Sequence, residues 1–140
     1  MYPDGQEVLV VIADHERRTQ VTQTLRNEGF AVTTAAEGRT ALRAIGARRY
    51  ALIIAARHLP GSLDGPTTVR QARIRQPWLK ALYVENQGQR PILGNPERDE
   101  VIAAPFERHE LIGCIFELLQ RDATDIADLS RRARTDLRAS

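Results

Sequence analysis

The 140-residue chain has a single cysteine, a single tryptophan and only one lysine, Lys80. One cysteine cannot close an intramolecular disulfide, so a reducing cytoplasm is the expected compartment. Cys114 stands among Leu111, Ile112, Ile115 and Leu118 and reads as a small buried hydrophobe rather than a reactive thiol. No apolar stretch approaches the ~20 residues a membrane-crossing helix needs, and no charged-then-apolar leader opens the chain. No membrane partner is expected. Net charge is only +2 and the arginines are spread along the sequence, so no nucleic-acid partner is expected either. No GxGxxG or GxxxxGK spacing builds a phosphate loop. His15, His58 and His109 have no metal-ligand spacing, and no Ser/His/Asp or Cys/His set can be assembled. No cofactor is expected, and an enzyme is the least favoured class.

What is present is ordinary for one globular domain: 42% hydrophobic and 27% charged residues, enough to bury a core. Strand and helix signals alternate, the pattern of a parallel sheet with helices on both faces. Glu7 to Ala13 is a continuous apolar, β-branched run, as a strand buried on both faces should read. Asp14 can cap the helix that follows, with Val21 and Leu25 inside, and Gly29 ends it. Phe30 to Ala35 reads as a second strand, Glu37 to Arg48 as a helix and Ala51 to Ala55 as a third strand. A helix from Pro66 to Gln76 stops at Pro77. Leu79 to Val84 and Glu100 to Ala103 complete five strands, and Glu107 to Arg121 forms a closing helix. Between the last two strands, Asn86 to Asp99 is rich in Gly, Pro and Asn.

Three segments, Val8 to Asp14 (VLVVIAD), Tyr50 to Gly65 (YALIIAARHLPGSLDG) and Val101 to Phe106 (VIAAPF), resemble the receiver domain of two-component response regulators. Leu82 to Asn86 (LYVEN) fits the same register, and the wording there is most similar to receivers of hybrid histidine kinases. The resemblance spans Glu7 to about Gln120. It implies an α/β, doubly wound, five-stranded parallel sheet of order 2-1-3-4-5, with a fourth helix here short or absent. It also implies a site, which this sequence has emptied. The acidic pair that holds magnesium falls on Ile12 and Ala13, and neither offers the oxygen ligands a hard cation needs. The phosphoacceptor aspartate falls on Ala56, whose methyl group cannot attack phosphorus. The sensing hydroxyl falls on Glu85, the lysine on Ala104 and the switch aromatic on Val101. Asp14 survives one residue late, and such a slip turns a side chain to the other face, so it reads as the helix cap. His58 beside this vestigial pocket reads as a packing or surface histidine. Arg57 is placed to reach Glu85 as an internal mimic of one signalling state, although an ordinary solvated pair is the expectation. The resemblance also leaves room for a cis Ala104–Pro105 bond.

The domain is expected to span 1–121, with 122–140 a helical extension or flexible tail. Ile126, Leu129, Ala133 and Leu137 recur there at helical spacing, and no Gly or Pro interrupts Cys114 to Ser140. The expected interaction surface comprises Val101, Phe106, Leu111, Ile115, Leu118, Ile126 and Leu129, and any homodimer would use the closing helix. Two functions are in play. One is a receiver-like signalling module that binds a histidine kinase or regulator without phosphorylation. The other is a small-ligand module using the apolar hollow of Ile12, Ala13, Ala56 and Ala104.

Overall fold

A strand buried on both faces has no position where a polar side chain is tolerated. Val8 to Val11 and Leu52 to Ala55 obey that rule, and every one of them is fully buried. The computed structural model describes residues 6–86 and 98–121. In chain order its elements are β1 (Glu7–Val11), α1 (His15–Asn27), β2 (Ala31–Ala35), α2 (Gly38–Ala47), β3 (Leu52–Ala56), α3 (Gly65–Arg75), β4 (Lys80–Asn86), β5 (Asp99–Ala104) and α4 (Arg108–Leu119). The five strands form one sheet of order β2-β1-β3-β4-β5, parallel throughout, as expected.

Side-chain alternation along the strands divides the core into two layers. Val8, Val10, Ile54, Leu82 and Val84 face α1 and α4, where Val21, Leu25, Leu111, Ile115 and Leu118 meet them. Leu9, Val11, Ile53, Ala81 and Tyr83 face α2 and α3, against Ala41, Ile45, Val69 and Ala72. Tyr83 is sealed well enough that burial, with Asp99 nearby, pushes its hydroxyl up to about 12. Gln76 ties the second layer together from the end of α3. Its side chain accepts from Tyr50 N at 2.9 Å and donates to the Ile45 and Arg48 carbonyls at 3.0 and 2.8 Å.

Leu111, Ile115 and Leu118, expected on an interaction surface, are instead core residues at 1%, 0% and 0% exposure. The sheet needs both faces covered, and this stripe of α4 is what covers β4 and β5 on one side. The outward side of α4 carries Phe116, at 36% exposure. Val101 and Phe106 are half-buried against the two core layers. β4 runs past the expected Val84 to Asn86 and so takes Glu85 into the sheet, while the other boundaries move by one or two residues. The expectations for the fourth helix, for Ile126 and Leu129 and for the 122–140 extension lie outside the described residues.

Candidate functional site

The C-terminal ends of β1, β3 and β4 open into a cavity of about 330 Å³. Parallel α/β sheets leave such a crevice where neighbouring crossovers diverge. Its apolar base is Ile12, Ala13, Ala56 and Val84, and its polar wall is Asp14, Arg17, Arg57, His58 and Asn86. The loop after β3 is folded back tightly against this opening. Gly61 adopts φ +87°, and the Gly65 N–H donates to the Arg57 carbonyl at 2.9 Å. A Cβ on Gly65 would lie 2.2 Å from the Ala56 carbonyl oxygen, so no other residue fits there. Asp64 then caps α3 by accepting from Thr67 N at 2.9 Å. Hydrogen bonding to Thr67 holds the Asp64 carboxyl below its ordinary 3.8. The Ala104–Pro105 bond is cis.

Asp14 stands at the cavity rim as the N-cap of α1, accepting from Arg17 N at 3.3 Å. Arg17 Nη1 lies 3.4 Å from Asn86 Oδ1, bridging the mouth between α1 and β4. Arg18 donates to the Ile12 and Ala13 carbonyls at 2.8 and 3.1 Å, which pins the end of the first strand. Oxygen donors from side chains are therefore scarce. Ile12, Ala13 and Ala56 supply none, and the Asp14 carboxylate is engaged with a backbone N–H. This set does not fit a magnesium ion, which requires carboxylate ligation in near-octahedral geometry. Among the described residues, no three His, Cys, Asp or Glu side chains stand together as a metal would need.

Five of the seven expected pocket residues line the cavity, namely Ile12, Ala13, Asp14, Ala56 and His58; Glu85 and Ala104 do not. The reason is alternation along β4. Val84 faces the cavity layer, whereas Glu85 shares a face with Tyr83 and is only 3% exposed. Ala104 is likewise packed away at 6%. Arg57 follows β3 on that same face, and its Nη1 lies 3.5 Å from Glu85 Oε1. The expected solvated pair is therefore an ion pair whose carboxylate is buried and whose guanidinium is about a third exposed. Arg17 and Asn86 were not anticipated. Position was the available signal: Arg17 lies on the first turn after the capping Asp14, and Asn86 directly follows Glu85.

A larger groove of about 1,050 Å³ runs between α1 and the start of α4, with Gln20, Thr24, Phe106 and Arg108 along it. Cys114 is half-buried against the core, and burial, then Glu100, raises its thiol above the usual value, so it is not an activated nucleophile. Among the described residues no helix is long and apolar enough to cross a membrane.

No protein-family model matches the sequence, and no curated protein does. Solved structures do. A response regulator receiver protein from Sinorhizobium medicae superposes with a TM-score of 0.74 at 21% identity, covering 84% of this chain and 98% of that one. A putative response regulator from Chloroflexus aurantiacus gives 0.71 at 26% identity, covering 84% and 99%. The receiver domain of a sensor histidine kinase from Pseudomonas aeruginosa gives 0.70 at 27% identity, covering 83% and 98%; that structure holds a magnesium ion in its active-site cleft.

Proposed function

We propose that this chain, which has the fold of a response-regulator receiver domain, is a two-component signalling module that acts by protein–protein interaction without phosphotransfer. The observation that carries the reading is the cavity floor: hydrocarbon at Ile12, Ala13 and Ala56 where the resemblance implies a metal-binding acidic pair and a phosphoacceptor. Phosphoryl transfer depends on a nucleophilic oxygen and on cations that gather the developing charge. This site supplies neither the oxygen nor ligands for the metal. Beside the cavity, with Glu85 on the other face of β4, stands the Arg57–Glu85 pair, a fixed charge arrangement that phosphorylation does not have to create.

The partner is a histidine kinase or another regulator, and the groove between α1 and α4, with half-buried Phe106, is the surface offered to it. A second reading, a small-ligand module, draws on the same cavity, whose volume of about 330 Å³ is at the lower end of the ~300–1,000 Å³ typical of ligand sites. Native mass spectrometry of the purified chain separates the two, since a retained small molecule would favour the second.

The decisive experiment is intact-mass analysis after incubation with a small phosphodonor and magnesium. No adduct should form on the natural chain. Ala56→Asp alone should remain unmodified too, because Ile12 and Ala13 still leave the metal without ligands. A hydroxylamine-sensitive acyl phosphate on the natural chain would overturn the proposal. Trp78 is a poor reporter for this test, since it sits where α3 ends, at the opposite edge of the sheet.

A further inference from the structure

Parallel strands place the C-terminal ends of α2 and α3 at the edge of the sheet opposite the cavity. Arginines distant in sequence meet there. Arg48, Arg49, Arg75 and Trp78 frame a hollow of about 450 Å³. Arg98 donates to the Pro77 carbonyl beside it. Arg48 is paired with Glu7 at 3.0 Å. Arg49 instead lies over the Trp78 ring, 3.9 Å from its centroid. Arg75 extends towards Gly46, and among the described residues neither it nor Arg49 has a carboxylate within ion-pair distance. Arginines from three separate stretches of the sequence are thus gathered by folding at one edge.

Complementing the helix dipole accounts for a cation at the end of a helix. It does not account for the apolar groups exposed alongside. Trp78 is 40% exposed and Ile74, on the last turn of α3, is 78% exposed. The indole N–H donates to the Tyr50 carbonyl at 3.0 Å, so the ring is anchored and presented rather than loose. Rigid aromatic rings beside arginines are the composition of interface anchors. A guanidinium takes a carboxylate in a two-pronged, charge-assisted hydrogen bond. Nucleic-acid surfaces use arginine and tryptophan too, stacking bases on open ring faces, whereas here Arg49 already occupies one face of the ring.

We propose that this edge binds an acidic, partly apolar segment of a partner protein, its carboxylates on Arg49 and Arg75 and an apolar side chain against Trp78. The inference does not depend on how the cavity at the other edge behaves.

Trp78 is the sole tryptophan of the chain, so its emission reports on this edge directly. Titration of the full chain with a synthetic peptide alternating aspartate and leucine should give a saturable emission change that weakens with added salt. Arg75→Glu, at an exposed position, should keep the circular dichroism spectrum and lower the affinity by about tenfold or more. Arg39→Glu, an equal change of net charge on the first turn of α2, should leave the affinity within about twofold, as expected for a charge remote from the contact. Absence of a saturable change, equal affinity for a control peptide with asparagine in place of each aspartate, or unaltered affinity in Arg75→Glu would each overturn the proposal. So would tighter binding of oligothymidylate than of the peptide, which would make the edge a nucleic-acid surface.

Discussion

The two edges of the sheet handle charge in opposite ways. At the C-terminal edge, Asp14 accepts from Arg17 N, Arg17 meets Asn86 and Glu85 meets Arg57, so these charged groups have partners within the chain beside a hydrocarbon floor. At the N-terminal edge, Arg49 and Arg75 have no carboxylate partner among the described residues and stand beside exposed Trp78. One fold thus carries an edge whose chemistry is closed and an edge whose chemistry is open. The lesson is that the position of a site in a resembling fold does not locate the available charge in this chain.

Substitutions can break that contrast. Beneath both edges lies the shared core, and Ile115→Ala should cost about 2–5 kcal/mol in urea unfolding, because α4 cannot collapse onto the sheet without it. Arg57→Ala comes next. It would leave the Glu85 carboxylate buried without the guanidinium, so a loss of about 1–3 kcal/mol is expected. The matching Arg75→Ala should stay within ~0.5 kcal/mol, as for other exposed positions. Equal effects at Arg57 and Arg75 would erase the distinction between a closed and an open edge.

Asp64→Ala probes the loop that shapes the cavity and should cost about 0.5–2 kcal/mol as a lost helix cap. Its pH dependence has a definite sign. The folded carboxyl lies below the ordinary 3.8, so its contribution is complete above that pH and fades as acidity increases through the lowered value. The stability gap between natural chain and variant should therefore narrow below pH 3.8 and remain constant at neutral pH.

The smallest effect concerns assembly. Because Leu111, Ile115 and Leu118 are buried in the core, a homodimer through α4 would have to use its outer face around Phe116. Sedimentation of the full chain against a version ending at Arg121 should show any association lost with the tail. If both sediment with the same mass, the tail does not drive assembly.

Periodicity and composition alone determined the alternation of strands and helices, the capping by Asp14, and the two apolar faces of the sheet; the capping by Asp64 emerged only in the structure. The first three depend on neighbours within a few residues, which a sequence displays. The registered segments went further and placed Ile12, Ala13 and Ala56 at one opening, because parallel strands in this order must end together. Three things were decided only by tertiary structure. Whether the α4 stripe was surface or core depended on whether the sheet needed covering there. Which of Val84 and Glu85 faced the cavity depended on how far β4 continued. The meeting of Arg48, Arg49, Arg75 and Trp78 depended on two crossovers ending at one edge. Sequence spacing carries no trace of that encounter, since the helices that deliver these residues are brought side by side by burial against the sheet rather than by any pattern along the chain.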